Sequence, residues 1–460
     1  MFCLVSVVSC RTYYDKVLAY HKELNNGNYV AAEKDLRTNK FLKNKRNEML
    51  RYLELGKVFH LQKQYDSSNV YFNKADLLME EKTVAADVSK SVLVNEAITR
   101  YKGESFEHVL VNYYKALNYL YLNQNEDALV EAKRINLQLN NLSDKTIMEG
   151  KLYKADAFAH TLQGFVYERM NDYNNAFIAY RNAIELYEKP TSKRFMGAAL
   201  PEQLKIDLIN SASKAGLNAE REEYCTKYNL RFADIQDTNK IELLFIWENG
   251  LAPIKEQKDV FLYAVKGVGG DLMFSDQSGT INIPFPLPDK HKNKPSTLSD
   301  LSMMRVAYPR YVDIPLFYSQ LLVKHNGKDY IPEMVENVNY IAKENLRESF
   351  VKQMTLTVSR IALKKLAESE LKKDNEVAGA VLGIAGALIE KADTRNWQSL
   401  PSFISYTRIP VVKGENKLAL QFLTFSNQTL VDSIVVNCKS KLSILNYSTL
   451  RHLPPMLQNR

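Results

Sequence analysis

At 460 residues, with 45% hydrophobic and 25% charged side chains, the chain is long enough for two or three domains that each bury a core. Its formal net charge of +8 is dispersed along the chain, which excludes a nucleic-acid footprint. The four cysteines (Cys3, Cys10, Cys225, Cys438) show no metal-ligand or redox spacing, and no run reaches the ~18 continuous apolar residues of a membrane span.

The first ten residues, MFCLVSVVSC, turn polar at once with Arg11 and Thr12. Val7-Val8-Ser9-Cys10 resembles a bacterial lipobox, with an apolar residue three before the cut, a small residue just before it, and the Cys10 thiol to receive diacylglycerol. The basic leader and full apolar core are missing, as expected of a start codon annotated too late. Residues 1–10 therefore read as a lipoprotein signal remnant with Cys10 as the lipid attachment. The competing reading is a buried first strand with two incidental cysteines.

Helical periodicity dominates residues 11–235. Residues 156–190 read as two amphipathic helices with Asn171 and Asp172 at the turn and Pro190 closing the unit. Gly164 lies in the first helix and Ala176 and Ala183 in the second, where small side chains let two backbones approach. Phe165, Tyr167, Tyr173 and Tyr180 fill the space around them. The pattern resembles a tetratricopeptide repeat. Less complete copies begin near residues 25, 52 and 101, with Ala32, Ser68, Ala128 and Ala176 in equivalent second-helix places. Residues 200–224 add one or two closing helices, and the polar run 226–240 reads as a hinge. Stacked units of this kind form a superhelix whose concave face, lined by first helices, receives a protein or peptide partner. The lining residues by repeat geometry are Lys57, His60, Tyr113, Tyr121, Phe165, Glu168 and Arg169.

From residue 240 to 460 the pattern changes to a mixed α/β domain with antiparallel strands. Residues 243–247 read as a buried strand, Asn249-Gly250 as a turn, and 260–265 as its partner strand. Gly267, Gly269 and Gly270 form a glycine-rich turn, because Leu272 stands where a dinucleotide fingerprint needs its third glycine. The basic run 290–294 is a solvated loop. Residues 281–288 are extended, with prolines that favour an edge. A hairpin is expected around Asn326-Gly327, then helices over 333–373. The small-residue run 377–389 reads as a buried helix, its ~20 Å too short for a ~30 Å hydrocarbon core. Strands over 402–412, 417–424 and 430–436 complete the domain.

The stretch A-D-T-R-N-W-Q-S-L-P, residues 392–401, and N-G-L-A-P, residues 249–253, carry a resemblance. Together with the repeat at 113–132, they are similar to stretches in a family of largely uncharacterised bacterial lipoproteins with N-terminal tetratricopeptide repeats. That resemblance implies a place at the periplasmic face of a membrane and work in the cell envelope, since some members are encoded beside a lipoprotein resembling activators of penicillin-binding proteins. Within the stretch, Arg395 and Trp397 have two readings. One is an interior anchor with the guanidinium on Asp393; the other is a contact hot spot.

The seven histidines include no HExxH and no pair one helical turn apart, and no G-x-S-x-G elbow exists. No catalytic, metal or cofactor site is expected. The reading is a lipid-anchored periplasmic scaffold of the outer membrane that binds protein or peptide partners. The alternatives are a cell-wall hydrolase, whose carboxylates need no local motif, and a soluble adaptor without lipid.

Overall fold

The computed structural model describes residues 12–80, 95–144, 155–189, 194–235, 241–267, 271–292, 301–374 and 391–455. Cys10 and its leader, Pro190, Gly269, Gly270, Asn293, Lys294, residues 236–240 and the run 377–389 lie outside them. The chain forms an α-superhelix of tetratricopeptide-like helix pairs followed by a mixed α/β half.

A short helix, α1 (Tyr13–Lys16), precedes five helix pairs. These are α2 (Leu18–Asn25) with α3 (Tyr29–Thr38), α4 (Glu48–Leu61) with α5 (Tyr65–Glu80), and α6 (Ser105–Tyr121) with α7 (Asn125–Asp144). Then come α8 (Ala157–Arg169) with α9 (Tyr173–Glu188), and α10 (Glu202–Lys214) with α11 (Asn218–Tyr228); α12 (Phe232–Ile235) follows. The turn is the same in each pair. Gly27, Lys63, Asn123, Asn171 and Gly216 all adopt positive φ, between 59° and 77°, two residues before the second helix. A left-handed residue there ends the first helix and aims the chain back antiparallel. The closing helices thus form a fifth pair with this turn.

Close approach inside the pairs rests on small side chains. Ala32, Ser68, Ala128 and Ala176 have no exposed surface. A methyl group on Gly56 would lie 2.5 Å from the Phe72 ring, and one on Gly164 only 2.1 Å from the Tyr180 ring.

A two-stranded ribbon, β1 (Arg194–Phe195) and β2 (Ala198–Ala199), links helices α9 and α10. The second half then contributes β3 (Ile241–Asn249), β4 (Ile254–Lys266), β5 (Leu272–Ser275), β6 (Asn282–Phe285), helix α13 (Asp289–Lys292), β7 (Met303–Val312), β8 (Tyr318–His325), β9 (Lys328–Tyr330) and β10 (Glu333–Asn337). Helix α14 (Val338–Asp374), then β11 (Phe403–Val411), β12 (Gly414–Thr424), β13 (Thr429–Cys438) and β14 (Leu442–Thr449) complete it. Three four-stranded sheets result, ordered β10-β11-β3-β14, β13-β12-β8-β9 and β6-β5-β4-β7. The central sheet is mixed, because β14 runs parallel to β3 while β11 runs antiparallel.

Strand β3 explains the layering. Leu244 and Ile246 face the repeats, whereas Leu243, Phe245 and Trp247 face the sheet containing β12. A strand covered on both faces reads as a continuous apolar run. The core that fills the helix pairs therefore continues without a break into the central sheet. Helix α14, about 55 Å long, packs Val338, Ile341 and Leu346 into that core. Its later residues Met354, Val358 and Ile361 join a separate core under β4–β7.

Several sequence expectations are corrected. Residues 260–265 belong to β4 but do not pair with β3; β4 lies between β5 and β7. Gly250, at φ 70°, turns the chain out of the sheet, and Ala252 N–H then bonds Leu400 O at 2.6 Å instead of closing a hairpin. Residues 333–337 are a bulged strand on β11, not the start of the helix. Strands β5, β7 and β14 were not foreseen. His291, in the basic run expected as a solvated loop, is buried on α13 beside Glu370, 3.3 Å away. The hairpin at Asn326-Gly327 forms with both residues at positive φ, and residues 282–285 take the edge position that Pro284 permits. Cys225 and Cys438 are free thiols.

Candidate functional site: the concave face and what fills it

The first helices α4, α6 and α8 present their inner faces to even-numbered residues of β3, β11 and β14. Nearly every polar group at that junction has a partner from the other half. Lys57 Nζ lies 2.6 Å from Glu248 Oε2 and 2.7 Å from the Tyr114 hydroxyl. Tyr113 donates to Glu248 Oε1 at 3.0 Å, and Ser448 to Oε2 at 2.8 Å. Burial alone would raise the Glu248 carboxyl, but Lys57 and His60 reverse this and hold it at about 2. His60 bridges Asn118 and Asn446, at 2.6 and 3.1 Å, and burial lowers its pKa. The Tyr121 hydroxyl accepts the Asn446 N–H at 2.6 Å.

Further along the groove, Phe165 packs edge-on against Tyr406 with centroids 5.0 Å apart. Glu168 pairs with Arg408, which also meets Asp207 at 2.8 Å and Glu242 at 3.0 Å. Arg169 donates to Ser440 and to the carbonyl of Leu442. All seven concave-face residues thus contact the second half of their own chain. This corrects the expectation of an open groove: while the halves are docked, a separate peptide finds the face filled.

The irregular segment 392–402 lies in the same groove. Trp397 has no exposed surface and packs against the stacked rings of Phe72 and Tyr114, with centroids 5.6 and 5.8 Å away. The Trp397 backbone N–H donates to Glu107 at 2.6 Å, and that of Gln398 donates to Glu54 at 3.1 Å. Carboxylates on α4 and α6 thereby satisfy backbone groups that no sheet reaches. Burial raises both carboxyls to about 7, against the hydrogen bonds that favour their charged form. Arg395 is held by Asp393 at 2.6 Å, Asn47 at 2.9 Å and the Thr99 carbonyl at 3.0 Å. The interior-anchor reading of Arg395 and Trp397 describes this geometry, and the buried indole leaves no surface for an external contact. The Asn249–Pro253 turn packs beside it: Asn396 donates to the Pro253 carbonyl at 2.8 Å.

Sequence reasoning missed Glu54, Glu107, Glu248, Arg408 and Asn446. For the four charged residues the signal was present as charges inside largely apolar helix and strand stretches, which a buried position tolerates only with a partner; the uncharged Asn446 carried no such signal. Among the described residues, no cluster of three His, Cys, Asp or Glu could hold a metal ion, and no helix is long and apolar enough to cross a membrane. A cavity of about 70 Å³ borders Glu104, Lys255, Arg360 and Asp393, room for little more than water.

No family model and no curated protein matches the chain. Among solved structures it is similar to the apo form of RapI, at 17% identity and a TM-score of 0.34 over 49% of this chain and 55% of that one. MamA is similar at 16% identity and a TM-score of 0.29, over 47% and 93%. A tetratricopeptide repeat protein from Parabacteroides merdae is similar at 15% and 0.29, over 48% and 66%. The chain spans about half the length of RapI.

Proposed function

We propose that this chain is a lipid-anchored scaffold at the periplasmic face of a bacterial outer membrane, acting in envelope assembly or maintenance, including cell-wall synthesis. The observation that carries the scaffold reading is the filled concave face. The repeats grip their own β-rich half through buried ion pairs and a continuous core that the two halves share. Protein partners then meet the outer surfaces rather than the groove. The buried Glu54, Glu107 and Glu248 hold backbone and side chains of the same molecule and lie out of a substrate's reach, which favours a non-enzymatic role. Anchoring is supported by the Val7-Val8-Ser9-Cys10 sequence and the polar chain that follows it.

Intact mass of the protein extracted from cells tests the anchor. Cleavage before Cys10 with added acyl mass is the expected result, and an unmodified chain retaining residues 1–9 overturns it. Photo-crosslinking in cells tests the scaffold. Crosslinkers on the outer faces of β12 and β13 should capture envelope proteins, whereas capture only from positions 57, 113 and 165 would restore the open-groove reading.

A further inference from the structure

In the three four-stranded sheets of the described residues, every edge but β13 is blunted by shortness, proline, a bulge or a side chain reaching in from another element; on β13 the side chain bonded to Ser433 N–H is that of its own Asp432. Strand β9 has three residues, two of them charged, and β6 has four with Pro284 among them. Strand β7 contains Pro309 and has its first carbonyl, Met303 O, bonded by Lys365 Nζ at 2.6 Å. Strand β10 is bulged, and its Val335 carbonyl accepts from the Tyr187 hydroxyl. Strand β14 is bonded by Tyr121 and Arg169. Such devices keep an edge from pairing with another chain.

Strand β13 is ten residues long, in unbroken register with β12, and contains neither proline, glycine nor a basic residue. Val431 and Val435 on its outer face are 66% and 63% exposed. Its open backbone is identifiable. Thr424 N–H bonds Gln428 O, so in antiparallel alternation even-numbered residues bond β12 and odd-numbered ones point outward. Ser433 N–H accordingly bonds the Asp432 side chain at 2.7 Å rather than a strand.

We propose that β13 is the interface with a second copy of this chain, two β13 strands pairing antiparallel about a two-fold axis through Ser433. Outward-pointing residues must pair with outward-pointing residues, which restricts the axis to a single residue. An axis on Asp432 sets two carboxylates directly opposite, and one on Ile434 sets Val431 against Asn437 and Val435 against Ser433. An axis on Ser433 matches Val431 with Val435, Thr429 with Asn437, Leu430 with Val436, and Ser433 with itself. Residues 429–437 are all used; the one unlike pair, Asp432 against Ile434, still keeps the two carboxylates off each other, which the Asp432 axis does not. Pairing joins the two β12-containing sheets into one eight-stranded sheet with about ten new inter-strand hydrogen bonds. The self-complementary register favours a second copy over an unrelated strand, because register is fixed by side-chain pattern.

The experiment uses the purified full chain in a Cys225→Ser background. Ser433→Cys should give a disulfide-linked band at twice the monomer mass on mild oxidation. Asn437→Cys should not exceed the background, since its twin lies eight residues away in this register, about 27 Å. Val431→Lys with Val435→Lys places like charges opposite one another on an already exposed face. At concentrations low enough for both chains to be monomeric, thermal melting should be unchanged, while self-association in sedimentation should be weakened about tenfold or more. A chain that stays monomeric at high micromolar concentration overturns the proposal. So does a dimer that ignores the double lysine variant, or one that links through Asn437→Cys rather than Ser433→Cys.

Discussion

Lys57 and Glu248, 191 residues apart in sequence, form a 2.6 Å ion pair in which neither side chain has any exposed surface. The pair ties the concave face to the strand at the centre of the second half. Removing one member leaves the other charge buried without compensation, so Glu248→Gln is expected to lose about 3–5 kcal/mol of stability. The double variant Lys57→Met, Glu248→Gln removes both charges and is expected to be more stable than either single change. Denaturant unfolding of the four chains as a double-mutant cycle reads this directly. Additive losses would mean the two side chains are not coupled.

Gly164→Ala sets two effects against each other. Alanine favours a helix interior over glycine by about 1 kcal/mol. Here the added methyl would lie 2.1 Å from the Tyr180 ring, whose hydroxyl is held by Glu168 at 2.7 Å. The ring cannot withdraw freely, so overpacking wins and a net loss of about 1–3 kcal/mol is expected. Gly164→Ala combined with Tyr180→Leu should be less destabilised than the sum of the two single variants. A stabilised Gly164→Ala chain would show that the helices separate easily.

How much of this was legible in the sequence depends on the range of the interaction. Repeat pairing was legible because Gly56 with Phe72, and Gly164 with Tyr180, are local contacts whose spacing repeats along the chain. The hairpin at Asn326-Gly327 was legible for the same reason. Strand β14 was not: its partner β3 lies about two hundred residues away, and its alternation is broken by Asn446, a residue that faces His60 and Tyr113. The seven residues expected on the concave face all contact the second half, yet nothing local states that the partner is the same chain. The warning was Glu248 within IELLFIWEN and Arg408 within FISYTRIPV. A charge in a strand buried on both sides needs a counter-charge, and that counter-charge comes from the helical half.

The continuous core between the halves has a measurable consequence. Separated from residues 241–460, the helical half would expose Phe165, Tyr113 and Trp397's neighbours Phe72 and Tyr114, along with Lys57 deprived of its counter-ion. Residues 12–235 expressed alone should therefore lose sharp thermal unfolding and bind a hydrophobic dye. The whole chain should melt in one transition by both tyrosine fluorescence and far-ultraviolet dichroism. Two well-separated transitions in the whole chain would contradict the shared core.

Acid and base limbs of stability should carry opposite signatures at two buried carboxylates. Glu248 is held at about 2 in the folded protein against an ordinary value of 4.5. Its contribution is fully present above pH 4.5 and is lost as pH falls toward 2. Glu107 is raised to about 7 by burial and by the neighbouring Glu104, so its contribution is greatest below pH 4.5 and is lost as pH rises through 7. His21, lowered by burial to about 3, adds a loss on the acid side between pH 6.5 and 3 and partly masks Glu107 in the whole protein. Comparison with single variants removes that masking. Relative to Glu107→Gln, the native chain should lose about 3 kcal/mol as pH rises from 4.5 to above 7. Relative to Glu248→Gln, it should instead lose stability only as pH falls below 4.5. Urea unfolding at half-unit pH intervals distinguishes the two. Parallel curves for native chain and Glu107→Gln between pH 4.5 and 7 would show that the carboxylate stays ionised, held by the Trp397 N–H and the Tyr101 hydroxyl that bond it.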